Sequence, residues 1–298
     1  MKNRLLLCCL SACLLLATSL TAEDTLQLAR LESDVESGHR AADIWQALNP
    51  RKLKLKSAAA LIVDPQGNEV YAKQVDTPMP IASITKLMTA MVILDAQLPL
   101  QEKITITKDD RDLIRLTGSR LKYGATLTRK ELLQLMLLAS ENRAANALAR
   151  SWPGGRDDLI QAMNLKAGSL NMHASRFTDP AGLDAGNIAT ARDLAKLVSA
   201  AREYPLIQAA TTTRALSVKP YKGRGELRFG NTNRLLRSAA WEIQLSKTGY
   251  INEAGCCFTM QAEIAAPPTI VLLNSFGKLT PLSDSNRTCK WIQAGIDG

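Results

Sequence analysis

The sequence predicts an α/β chain of the α+β kind: an antiparallel sheet with flanking helices and an inserted all-helical subdomain. Three observations carry that expectation. Strand-like segments gather at the two ends, around residues 58–73 and 215–275, whereas residues 96–204 read as mostly helical. The 298 residues suffice for one large domain or two modest ones. No internal repeat or low-complexity tract interrupts them.

The first residues concern export. Lys2 and Arg4 form a positive head, and Leu5 to Leu16 is an apolar run broken by Cys8, Cys9, Ser11 and Cys13. Ala17, Thr18, Ser19, Thr21 and Ala22 follow, then Glu23 and Asp24. Charged head, apolar centre and small-residue exit in that order mark residues 1–22 as a secretory signal peptide, cut near Ala22. The apolar run is shorter than the ~20 residues of a membrane span. Leu10-Ser11-Ala12-Cys13 also matches the pattern at which bacterial lipoproteins are cut and lipidated, but the apolar run continues past Cys13.

Residues 23–55 are polar, with helical spacing at Leu26, Leu28 and Leu31 and a basic stretch at Arg51-Lys52-Leu53-Lys54, and are expected as an extension outside the core. The main domain is then 56–298, with its sheet part at 56–95 and 205–298 and its helical insertion at 96–204. Ala58 to Val63 and Glu69 to Lys73 read as paired strands around the turn chemistry of Asp64-Pro65-Gln66-Gly67-Asn68. Pro78 and Pro80 precede an apolar helix from Ser83 to Leu94. A strong helix runs through Leu132 to Leu138, and Thr190-Ala191-Arg192-Asp193 opens another in the manner of a capping box. Strands return at Ala215 to Val218, Trp241 to Tyr250, Cys256 to Ala265 and Thr269 to Ser275, and a helix over Ser283 to Ile296 closes the chain.

The formal charge of +9 becomes +7 once Lys2 and Arg4 leave with the signal. With 4% aromatic residues and no binding motif, an exported chain of this charge is not a nucleic-acid binder; an anionic polymer or acidic substrate suits it better. The signal removes three of the six cysteines, leaving Cys256, Cys257 and Cys289. Three thiols allow one disulfide at most and read more simply as small core residues. Their spacing is not that of a zinc site, and no His-Glu-x-x-His motif occurs. The reading calls for no metal and no cofactor.

His39 and His173 are the only histidines, and neither sits in a catalytic pattern, so hydrolytic chemistry here needs another base. Ser83-Ile84-Thr85-Lys86 places a hydroxyl and an amine on one helical face. At a helix start, unsatisfied N–H groups favour a developing oxyanion, and a buried lysine near a second cation loses its proton readily. Ser119-Arg120-Leu121-Lys122 and Ser275-Phe276-Gly277-Lys278 repeat the spacing, but among glycines and turns. Ser140-Glu141-Asn142 ends the apolar helix and offers a hydroxyl and an amide. Lys247-Thr248-Gly249 occurs once, inside the Ile243 to Ile251 strand pattern. There the lysine brings charge, the threonine a hydroxyl for a carboxylate, and the glycine room for another backbone. Such a strand suits peptide binding by strand addition.

Serine-x-x-lysine, serine-x-asparagine and lysine-threonine-glycine in this order resemble the penicillin-binding proteins and class A β-lactamases. Pro80-Ile81-Ala82-Ser83-Ile84-Thr85-Lys86-Leu87-Met88-Thr89-Ala90 and Leu138-Ala139-Ser140-Glu141-Asn142-Arg143-Ala144-Ala145 are similar to low-molecular-mass penicillin-binding proteins of the D-alanyl-D-alanine peptidase family. Asn231-Thr232-Asn233, Trp241 and Gln244-Leu245-Ser246-Lys247-Thr248-Gly249 resemble its DD-endopeptidase branch, and the likeness spans roughly 55 to 296. The resemblance implies a serine DD-peptidase fold, a periplasmic location, peptidoglycan peptide cross-links as substrate and β-lactams as acylating inhibitors. It also implies roles. Ser83 is acylated, Lys86 accepts its proton, Ser140 relays a proton to the leaving amine, and Asn142 holds substrate. Lys247 and Thr248 recognise a carboxylate beside the scissile bond, and the backbone N–H groups of Ser83 and Tyr250 form the oxyanion hole.

A class A β-lactamase needs a glutamate to activate the deacylating water, and Arg176-Phe177-Thr178-Asp179-Pro180-Ala181-Gly182-Leu183 has none. Penicillin is therefore expected to acylate the protein and leave slowly. Many carboxypeptidases of the family carry a further C-terminal domain and an amphipathic anchor helix, whereas this chain stops at Gly298 after its closing helix. That favours an endopeptidase, soluble or weakly held at membrane or wall. Carboxypeptidase activity and a non-catalytic wall-binding scaffold remain the alternatives.

Overall fold

The computed structural model describes residue 27, residues 44–264 and residues 267–296. The chain divides into two units, residues 1–43 and 44–298. The expected signal peptide with Cys13, residues 23–26 and 28–43 of the extension with His39, and Ala265 lie outside the described residues.

Strands β1 (Ala59–Val63) and β2 (Glu69–Lys73) form the first hairpin. Asp64 builds its turn by accepting from the N–H groups of Gln66 and Asn68 at 2.9 and 2.8 Å, with Gly67 at φ +89°. Next come the short strand β3 (Met79–Pro80) and helix α1 (Thr85–Asp95). The middle of the chain holds β4 (Lys103–Thr105), β5 (Thr126–Thr128), α2 (Arg129–Leu138), α3 (Asn142–Arg150), α4 (Arg156–Ser169), β6 (Ile188–Ala189) and α5 (Ala191–Arg202). Then follow α6 (Pro205–Thr212), β7 (Ala215–Val218), β8 (Leu227–Gly230), β9 (Glu242–Ile251), β10 (Gly255–Glu263), β11 (Thr269–Ser275) and α7 (Thr280–Ile296).

Five strands make one antiparallel sheet in the order β2-β1-β11-β10-β9, so strands from the two ends of the chain pair in its middle. Period-two alternation sends their side chains to two separate cores. Ala59, Leu61, Val271, Leu273 and Leu245 face the larger core, which α1, α2 and α5 complete. Ala60, Ile62, Ile270, Leu272 and Met260 face a smaller one. Helices therefore cover both faces, which is why these strands read as apolar runs rather than as alternation.

Local sequence explains the helix starts. Thr128 and Glu131 form a reciprocal capping box at α2, and Thr190 accepts from the N–H of Asp193 at α5. Helix α6, in a region expected to be strand, begins with Pro205, whose fixed φ suits the first helical position.

Two further expectations are corrected. The polar extension does not reach residue 55. Trp45, Leu48, Leu53 and Leu55 are buried in the smaller core, because that face of the sheet needs a cover beyond α7. Four apolar side chains in a polar run carry no periodic signal of that role. The insertion at 96–204 is also not all helix. It contains the β4–β5 ribbon, β6 pairs with β3, and α5 packs against β1 and β11 of the sheet.

Asp284 ties the ends of the domain together. Fully buried on α7, its carboxylate accepts from the Lys56 and Ser57 N–H groups at 2.9 and 2.8 Å and from Ser57 Oγ at 2.7 Å, just before β1 begins. Asp284→Ala strands these buried donors and should lower unfolding stability by about 3 kcal/mol. Urea titration checks this; an unchanged midpoint would refute it.

Candidate active site

Ser83 lies in a single 3₁₀ turn, Ala82–Ile84, that runs into α1. Ala82 enters it at φ +48°, a left-handed conformation unfavourable for a residue with a Cβ. Its surroundings hold it there. Thr85 Oγ1 donates to the Ala82 carbonyl at 2.8 Å. Two glycines from remote segments press against the same turn. A Cβ on Gly182, at φ +73°, would lie 1.9 Å from the Ala82 oxygen, and one on Gly249 would lie 2.9 Å from Ser83 N. The Ser83 turn is thus clamped between the loop after Asp179 and strand β9.

Lys86, one turn along, is fully buried. Its Nζ lies 2.8 Å from Ser83 Oγ, 2.8 Å from Asn142 Oδ1 and 2.6 Å from the Ala181 carbonyl, donating to all three when protonated. Burial lowers its pKa to about 7, against the opposing pull of the Asp179, Glu141 and Asp112 carboxylates. Lys247, on β9, is also buried and held well below the usual lysine range, first by desolvation and then by Lys86. Its Nζ donates to Ser140 Oγ and to the Thr248 carbonyl, both at 3.0 Å. Thr248 Oγ1 donates to Thr232 Oγ1 at 2.7 Å.

Ser140-Glu141-Asn142 does not simply end α2. Ser140 sits at φ +55° between two helices, and Glu141 caps α3, whose first residue is Asn142. That sharp turn sends the two side chains to different partners, Ser140 to Lys247 and Asn142 to Lys86.

All these segments meet at one cleft of about 720 Å³, lined by Ser83, Ser140, Asn142, Thr248, Gly249 and Tyr250 among others. Lys86 and Lys247 lie beneath its floor. Tyr250 is the most open of the expected residues at 56% exposed, with its hydroxyl donating to Asn252 at 3.0 Å. His173 is exposed and does not line the cleft. Cys256, Cys257 and Cys289 are free thiols, and burial pushes Cys257 up to about 12. Among the described residues no cluster of His, Cys, Asp and Glu is arranged to hold a metal.

Sequence patterns alone missed several contributors. Asp179 accepts from the Ala181, Gly182 and Asp184 N–H groups at 2.6, 2.8 and 2.8 Å, and so aims the Ala181 carbonyl at Lys86. Thr89 Oγ1 donates to the Pro180 carbonyl at 2.7 Å and pins that loop to α1. Arg115, Thr117 and Thr232 also line the cleft. Asp-Pro-x-Gly at 179–182 was the one visible signal, a turn that lowers backbone carbonyls toward a neighbour.

A serine hydroxyl joined to a buried amine of lowered pKa, with a second hydroxyl–lysine pair across the cleft, marks the site of a serine hydrolase. The chain belongs to the peptidase S11 family, whose model, D-alanyl-D-alanine carboxypeptidase, matches residues 46–276. It is a serine-type D-Ala-D-Ala peptidase. A D-alanyl-D-alanine endopeptidase of Pseudomonas aeruginosa is 42% identical over 83% of this chain and 80% of its own length. One of Escherichia coli is 44% identical over 81% and 79%. The crystal structure of the Streptomyces K15 DD-transpeptidase superposes with a TM-score of 0.76 at 28% identity, covering 82% of this chain and 99% of that one.

Gly249→Ala brings a Cβ to within about 3 Å of Ser83 N, Ala82 Cβ and the Ile81 carbonyl and must push β9 off the Ser83 turn. Acylation of Ser83 by a β-lactam should slow at least ~10-fold, since small misplacements of reacting groups cost that much or more. Stopped-flow acylation at the wild-type rate would show the close approach to be dispensable.

Proposed function

We propose that this is an exported, periplasmic DD-endopeptidase that hydrolyses D-alanyl cross-links in peptidoglycan through an acyl-enzyme on Ser83, and that β-lactams inhibit it by acylating the same atom. The geometry of Lys86 supports this most directly. Two of its three partners, Asn142 Oδ1 and the Ala181 carbonyl, can only accept. A neutral amine has two N–H groups to give them, so its lone pair is left facing Ser83 Oγ at 2.8 Å.

In this reading Lys86 Nζ takes the proton of Ser83 as Oγ bonds to the acyl carbonyl carbon. The negative charge moves to the carbonyl oxygen, which the Ser83 and Tyr250 N–H groups receive. The C–N bond then breaks. The leaving amine regains the proton, with Ser140 Oγ, itself bonded to Lys247, as the relay. Water hydrolyses the ester and restores Ser83. Asn142 acts here on Lys86, and Thr248 is the hydroxyl placed for the substrate carboxylate. The endopeptidase assignment draws on the P. aeruginosa and E. coli relatives named for that activity, and carboxypeptidase action is the second reading, favoured by the family description.

Intact-mass analysis after mixing with a penicillin should give a stable adduct on Ser83, absent from Ser83→Ala; intact antibiotic and no adduct would refute the mechanism. The exported wild type should begin at Glu23 if residues 1–22 are the signal. Cross-linked muropeptide dimers should become monomers, whereas release of terminal D-alanine alone would make it a carboxypeptidase. Because the base must be unprotonated and its pKa lies at about 7, the acylation rate should rise with pH through about 7 and fall towards tenfold per unit below. A profile flat from pH 5 to 9 would exclude Lys86 as the base.

A further inference from the structure

The orientation of the Lys86 lone pair depends on which end of the Asn142 side chain faces it. Oδ1 must face Lys86 if the lone pair is to face Ser83, and an amide can turn over. A chain of hydrogen bonds from outside the three motifs decides the matter. Asn142 Nδ2 donates to Thr117 Oγ1 at 3.0 Å. Thr117 has a single hydroxyl proton, given to Asp112 Oδ2 at 2.7 Å. The Thr117 oxygen is therefore left only to accept, which requires the NH₂ end of Asn142 and turns Oδ1 to Lys86.

Asp112 is itself fixed. Only 4% exposed, it also accepts from the N–H groups of Ile114, Arg115 and Thr117 at 2.9, 3.0 and 2.9 Å. These bonds outweigh its burial and hold its carboxyl below the usual range, so it stays an acceptor. Arg115 fastens the same loop across the cleft, with Nε donating to the Leu183 carbonyl at 2.6 Å and Nη2 to Glu253 Oε2 at 2.7 Å. The loop thus has both an internal organiser and an external anchor.

We infer that Thr117, aligned by Asp112, is a positioning residue that sets the amide of Asn142 and through it points the lone pair of Lys86 at Ser83. The inference rests on the proposed role of Lys86 as base. If the amide turned over, Nδ2 would donate into the lone pair and compete with Ser83 for it. The turned amide would also cease to stabilise the ammonium form. Of the other charged groups facing Lys86, Asp179, Glu141 and Lys247 make no bond to the Thr117 side chain; Asp112 loses that hydroxyl in Thr117→Val and keeps three backbone N–H donors.

The test compares wild type, Thr117→Val and Thr117→Ser in penicillin acylation from pH 5 to 9, with thermal unfolding as a control. Val keeps the shape of the half-buried side chain and removes the acceptor; Ser keeps the acceptor. The expected result is acylation at least ~10-fold slower in Thr117→Val, a rate-profile midpoint moved to lower pH, and both restored in Thr117→Ser. A wild-type rate and midpoint in Thr117→Val would overturn the inference. So would a slower rate with an unmoved midpoint, or equal losses in Val and Ser, since either marks a merely structural loop residue. Should Thr117→Val fail to fold, Thr117→Ala carries the same comparison. No adduct on the wild type would overturn the base assignment and this inference with it, whereas a wild-type adduct with unaltered variants would overturn this inference alone.

Discussion

Burying the Lys86 amine is the constraint around which the rest of the structure is arranged. A lysine taken wholly out of water loses the solvation that keeps it charged, and the loss brings its pKa down to about 7. The same loss obliges the protein to satisfy its N–H groups from within. An amide oxygen from the start of α3 and a carbonyl from the Asp179 loop do so, while Ser83 takes the remaining direction. Burial and chemistry are one arrangement.

That arrangement needs backbone brought unusually close to backbone. The turn holding Ser83 is squeezed between Gly182 and Gly249, and Ala82 is held left-handed between them. Ser140, also left-handed, lets the chain reverse between α2 and α3 so that one hydroxyl and one amide reach different lysines. Such strain persists only where the surroundings over-determine it. Here those surroundings are the edge strand β9, the apolar helices α1 and α2, and a loop organised by a buried aspartate. Burial first, and then the neighbouring Lys86, keep Lys247 from holding a proton.

Much of the fold is legible in the sequence. The β1–β2 hairpin with its Asp64 turn, strand β11 and the Thr190 cap on α5 follow from local residues, because turn chemistry, apolar runs and capping act over a few positions. The smaller core was not legible. Trp45, Leu48, Leu53 and Leu55 belong to it only because a distant sheet face is left open to them. Helix α6 was missed for a related reason: eight residues give a weak periodic signal, and packing between α2 and β9 stabilises them.

The sequence by itself determined the chemistry on offer: a Ser83–Lys86 spacing, a Ser140–Asn142 pair, a Lys247-Thr248-Gly249 strand and no histidine in a catalytic pattern. Those are covalent facts, readable in order along the chain. What only the tertiary structure decided is who bonds to whom. Ser140 meets Lys247 across 107 positions, Lys86 meets the Ala181 carbonyl across 95, and Asn142 meets Thr117 across 25. A backbone carbonyl has no residue type to betray it, and the direction of a lone pair or an amide has no letter in the sequence. Each is set by the closest partner that folding leaves within reach.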